Sequence, residues 1–161
     1  MRRFLLSLAV AASAAGLLAG SAFAQPRRTL SFKELNEGSQ FHFVDATPKS
    51  KRRHGAPVRL SPGDAFVIIN PLVSDRGRRL GQLRATCFAV KSARTSAASL
   101  DCIGVFALRR GNLYLSARLK FTGPATRGKV VGGSGAYAGA RGTFVSKNTS
   151  TGSDDTVTLT S

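Results

Sequence analysis

Short extended stretches with period-two alternation, cut by turn residues every few positions, leave this chain few folds besides an antiparallel sheet. Residues 113–121 show the pattern best. Leu113, Leu115, Ala117, Leu119 and Phe121 share one face, and Tyr114, Ser116, Arg118 and Lys120 share the other. A strand with one face on a core and one in water reads this way. Further extended stretches occur at 28–35, 41–44, 64–70, 80–91, 101–109, 128–131, 140–147 and 155–160. Turn signals such as Asp75-Arg76-Gly77-Arg78 and Arg110-Gly111 separate them, and no segment has convincing helical periodicity. With 42% hydrophobic residues and ten Phe, the chain can fill an interior. These features predict an all-β domain, a barrel or a sandwich. Strands 80–91 and 101–109 are apolar on both faces, which predicts that something covers them outside.

The loop at 92–99 makes those two strands hairpin partners. Its centre places Cys87 opposite Cys102, so the register predicts a disulfide across adjacent strands; the alternative is two buried free thiols. Cellular location agrees with the bridge. Residues 1–24 read as a secretory signal peptide, with Arg2 and Arg3, an apolar run from Phe4 to Leu18, and a small-x-small site at Ala22-Phe23-Ala24. The apolar run is shorter than the ~20 residues a spanning helix needs. Residues 25–161 are then one domain, secreted or periplasmic, where an oxidising compartment joins the cysteines. Closing 14 residues should stabilise the fold by about 3 kcal/mol in the chain-entropy model.

Charge narrows the partners. The chain carries 24 Lys+Arg against 8 Asp+Glu, a net +16. Lys49, Lys51, Arg52, Arg53 and Arg59 crowd one loop, and Arg76, Arg78 and Arg79 another. Such loops predict weak, salt-sensitive binding of anionic polymers or an envelope surface. Most Phe residues alternate inward, so the stacking aromatics of a nucleic-acid specialist are missing and no specific nucleic acid is expected. Two Cys and two His cannot build a clustered metal site. His42 and His54 read as structural or solvent-facing residues, and no serine has a nucleophile-elbow pattern. The segment VGGSGAYAGARGT at 131–143 has glycines but neither a Lys-Ser/Thr pair nor a following helix. A phosphate-cradling loop is therefore not expected, and a tight turn with close backbone packing is.

That segment closely resembles the GGTGxYxGARG signature of the dirigent and allene oxide cyclase barrel superfamily. GDAFVIINPL at 63–72, RRLGQLRATC at 78–87 and GNLYLSARLKF at 111–121 resemble three further strands of that family, with Ala117 in place of a small Gly. The resemblance implies a single eight-stranded antiparallel β-barrel, whose closure removes sheet edges.

Candidate site residues follow from alternation and from the resemblance. Phe32, Glu34 and Asn36 share one strand face; Phe66, Ile68 and Asn70 share another. Glu is rarely buried, so by residue habit Glu34 is an exposed edge position and Asn36 a turn residue. If both faces instead point inward, an apolar cavity holds one carboxylate and two amides, and burial makes Glu34 a candidate acid or base. KELNE at 33–37 is similar to the first strand of plant allene oxide cyclases. The resemblance gives Glu34 the role of promoting epoxide ionisation, and Asn36 and Asn70 the role of holding a water that stabilises the oxyanion. It makes Cys87 a pocket residue. Gly38-Ser39-Gln40 stands where the cyclases carry Ser-Pro, and the dirigent branch has an Asp where Asn70 stands.

The reading is a cofactor-free cyclase, isomerase or stereo-directing barrel acting on a small apolar, lipid- or phenol-like molecule. Glu34, Asn36 and Asn70 are its catalytic candidates, and Phe32, Phe66, Ile68 and Cys87 its pocket. A non-catalytic carrier of hydrophobic ligands and a basic envelope-binding barrel are the alternatives. Self-association stays open.

Overall fold

The computed structural model describes residues 27–46 and 59–160. The expected signal peptide, His54 and most of the 47–59 basic loop lie outside the described residues; Arg59, its last residue, is exposed.

Eleven strands follow in order: β1 (Arg28–Leu35), β2 (Gln40–Val44), β3 (Arg59–Leu60), β4 (Ala65–Val73), β5 (Arg79–Ala89), β6 (Ala93–Arg94), β7 (Ser99–Leu108), β8 (Gly111–Lys120), β9 (Ala125–Gly133), β10 (Gly142–Thr149) and β11 (Gly152–Leu159). Every neighbour is antiparallel, in the order β1-β11-β10-β9-β8-β7-β5-β4, and β1 pairs back onto β4. Eight strands thus close a barrel, as the resemblance implies. β3 and β6 form a separate two-stranded ribbon.

Closure is uneven. β1 meets β4 only at Lys33–Val73 and Glu34–Leu72, while β2 takes the other half of β4, from Gln40–Ile69 to Val44–Ala65. Residues 36–39 step the chain from one pairing to the other. A strand tolerates Pro where no neighbour needs its N–H, and Pro71 falls in this step. Asn70 stands beside it.

Two apolar clusters fill the interior. One gathers Phe32, Leu72, Phe106, Leu113, Phe144 and Val157 around edge-to-face rings: Phe32–Phe106 at 4.8 Å and Phe106–Phe144 at 5.9 Å. The other gathers Leu60, Phe66, Leu100 and the two cysteines. Cys87 and Cys102 are register partners on β5 and β7 and are disulfide-bonded, S–S 2.05 Å. The hairpin register in the sequence therefore locates the bridge.

The outer faces of β5 and β7 correct one expectation. Among the described residues nothing covers them: Ile103 is 62% exposed and Phe88 40%. A barrel buries only its inner face, and the Arg118–Asp101 ion pair beside Phe88 keeps that outer face wet (Nε–Oδ1 2.6 Å).

Candidate functional site

Alternation on β1 turns Phe32 and Glu34 inward, and the same alternation on β4 turns Phe66, Ile68 and Asn70 inward. A cavity of about 230 Å³ lies between them. Glu34, Ile68, Asn70 and Cys87 line it, and the exposed Asn36 and Asn148 mark its mouth at the step between β1 and β2. Phe32 and Phe66 do not line it. Phe32 belongs to the ring cluster beneath the cavity, and Phe66 is packed by Phe41, Phe43 and Phe121. Leu83, Leu115 and Phe144 complete an apolar wall. His42 is exposed.

Glu34 is 8% exposed, and Asn70 Nδ2 donates to its Oε2 at 2.7 Å. Burial raises its proton affinity, and the Asn70 hydrogen bond, with Asp155 and Ser153 nearby, pulls it part of the way back. Asn36 takes no part in that contact; its backbone N–H donates to the Thr151 carbonyl at 2.8 Å and pins the mouth.

The alternation of β11 brings in a residue that sequence reasoning passes over. Ser153, Asp155, Val157 and Leu159 are the buried face of that strand. Asp155 is 2% exposed and lies opposite Phe32 on β1 and Ser146 on β10. Neither of its oxygens has a well-formed hydrogen bond among the described residues, although the Glu34 carboxyl and the Ser146 hydroxyl are near enough to compete for one. Burial first, and the Glu34 charge second, push its carboxyl up to about 8. Two buried carboxyls this near each other oppose each other's ionisation, so the second is the harder to charge. A signal was available: reading 155–160 as a strand puts Asp155 on the face of Val157 and Leu159.

Asp64 shows what a structural acid looks like here. It is as buried as Asp155, yet Ala46 N–H reaches one oxygen at 3.1 Å and Ser61 N–H the other at 2.8 Å. Among the described residues no group of three His, Cys, Asp or Glu side chains converges as a metal site would require.

No family model matches the sequence, and no curated protein matches it. Solved structures do. A pyocyanin demethylase is similar with a TM-score of 0.66 at 19% identity, over 83% of this chain and 100% of its own. A pterocarpan synthase dirigent protein is similar at 0.53 and 18%, over 84% and 93%. AbnU, an exo-specific intermolecular Diels–Alderase, is similar at 0.55 and 12%, over 83% and 98%. The chain has the dirigent-type barrel fold. At these identities the likeness concerns the fold alone.

In this dirigent-type barrel the Gly-rich segment is a packing device. Gly135 has φ +59°, and a Cβ there would sit 2.6 Å from the Arg110 carbonyl oxygen. Its absence lets the segment lie on the β7–β8 turn, where Ala136 N–H donates to Arg110 O at 2.8 Å and Ser134 N–H to Asn112 O at 2.9 Å. Among the described residues no helix is long and apolar enough to cross a membrane.

Proposed function

We propose that this barrel is a cofactor-free acid–base catalyst of the cyclase, isomerase or stereo-directing kind, acting on a small apolar molecule held in the Glu34 cavity. The observation that carries the proposal is the Glu34–Asp155 carboxyl pair with Asn70 bonded to it. Glu34 faces the cavity and can give a proton to a developing oxyanion on the substrate or take one from a neighbouring carbon or water. Asp155, buried behind it, sets that proton's affinity through its charge, so no redox change is needed. Asn70 keeps the Glu34 carboxyl aimed at the cavity. The apolar wall of Leu83, Leu115 and Phe144 holds one substrate conformer and excludes water.

The barrel folds of the pyocyanin demethylase, the dirigent protein and the Diels–Alderase support a small-molecule reading, since each is named for chemistry on a small molecule. The disulfide supports export, and the leader at 1–24 supplies a route. Asn36 and Asn148 at the mouth would meet the substrate first.

The test begins with mass spectrometry of molecules that co-purify with the exported protein. The bound compound is then incubated with wild type, Glu34→Gln and Asp155→Asn. Wild type should convert it and both variants should lose at least a hundredfold in rate while keeping the β circular dichroism spectrum. A compound that all three bind and none converts would reduce the barrel to a carrier.

A further inference from the structure

The opposite end of the barrel carries a second opening. Because β4 stops at Val73, residues 28–32 of β1 have no neighbour on that side, and a groove of about 470 Å³ opens between them and the ends of β5 and β7. Its floor is apolar: Leu30, Leu80, Leu108 and the buried Tyr137. Its rim is cationic: Arg78, Arg109 and Arg110 line it, and the Arg28 guanidinium lies 5.5 Å from the centre of the Tyr137 ring.

Little that is acidic offsets that rim. In the described loops at this end, 74–78, 109–110 and 134–141, Asp75 is the one carboxylate, and it pairs with Lys33 at 3.9 Å. Among the described residues none of the four arginines is ion-paired or donates a side-chain hydrogen bond. Four guanidiniums of one sign around an apolar floor repel one another, and an anion among them relieves that repulsion. A guanidinium fork matches a carboxylate in two parallel hydrogen bonds, which a diffuse polymer charge does not require. The apolar floor has no use for a bare ion. Charge above and hydrocarbon below together describe one kind of ligand.

We infer that this groove binds a small amphiphile with a carboxylate head and an apolar tail, of the fatty-acid class. The tail lies on Leu30, Leu80, Leu108 and Tyr137, and the head meets Arg78, Arg109 and Arg110. The site is separate from the Glu34 cavity, because the edge-to-face Phe32–Phe106 pair sits between the two openings. It does not depend on the acid–base reading.

Dodecanoate is the probe, titrated by calorimetry into the full exported chain, with acetate as the tail-less control and dodecan-1-ol as the head-less one. Dodecanoate should bind at least tenfold tighter than either. Arg78→Gln with Arg109→Gln should weaken dodecanoate at least tenfold and leave dodecanol unchanged; both positions are exposed, so the fold tolerates them. Leu108→Asn should weaken both. Glu34→Gln should change neither. Equal binding of acetate and dodecanoate would overturn the inference, since charge alone would then explain it. Loss of dodecanoate binding in Asn70→Leu, with the arginine variant unaffected, would also overturn it by placing the ligand in the other cavity.

Discussion

At one end of the barrel Glu34, backed by the buried Asp155, lines a cavity; at the other, four arginines surround an open apolar groove. Both regions gather like charges without a counter-ion among the described residues, and they resolve the same problem oppositely. The carboxyls are shut away from water, where a second negative charge costs several kcal/mol, so one of them keeps its proton. The guanidiniums are exposed, so their charge remains as a field in the solvent. Burial converts an unbalanced charge into stored acidity. Exposure converts it into attraction for a ligand. Phe32 and Phe106 keep the two apart.

The partition should give the largest effect. Phe106→Ala removes the ring that touches both Phe32 and Phe144 and should cost about 4 kcal/mol, read by urea unfolding. A loss under about 1 kcal/mol would mean that the rings are not the wall. Cys87→Ala with Cys102→Ala comes next, at about 3 kcal/mol. Both cysteines line the Glu34 cavity and neither touches the groove. Ligand binding in the cavity should therefore weaken while dodecanoate binding holds.

Acidity supplies a third effect. The folded-state pKa of Asp155 lies above its unfolded value, so the folded protein retains a proton between 3.8 and about 8. Stability then falls as pH rises through that window. Wild type should unfold at lower urea at pH 8.5 than at pH 5. Asp155→Asn should flatten the dependence and stabilise the protein at pH 8.5; an unchanged slope would assign the titration elsewhere. The smallest effect belongs to Lys33→Ala. Lys33–Asp75 is an exposed pair, so its loss should cost less than about 0.5 kcal/mol. It frees Asp75 beside the arginines, and dodecanoate affinity should drop by less than threefold.

Most of the frame was legible in the sequence, because alternation and turn residues act locally. All nine long strands were foreseen, and the cysteine pair fixed a register that the structure keeps. Boundaries drifted where propensity misleads. β9 runs from Ala125 to Gly133, yet its three glycines are poor strand formers, and only 128–131 stood out. Gly128 is there because the Phe144 ring fills the space its side chain would need. The candidate site was half legible. Glu34 and Asn70 come from different strands, and only closure of β1 onto β4 brings them within 2.7 Å. Asp155 was missed because an acid on a core face contradicts residue habit, although its alternation with Val157 and Leu159 was plain. The covered outer face was wrongly expected, since Phe88 and Ile103 look like core residues when partner strands are ignored.

The first long strand of this fold is zipped along its full length to the last, Arg28 opposite Leu159 and Leu35 opposite Gly152. Chain order therefore dictates a timetable. Hairpins such as β7–β8 can form while the polypeptide is still being delivered, but the barrel stays an open sheet until β11 arrives. Until then both edges are exposed to other chains. Closure spans most of the sequence, which makes it the slow step. Asp155 arrives only with β11, so the acid pair is completed in the same step that seals the barrel.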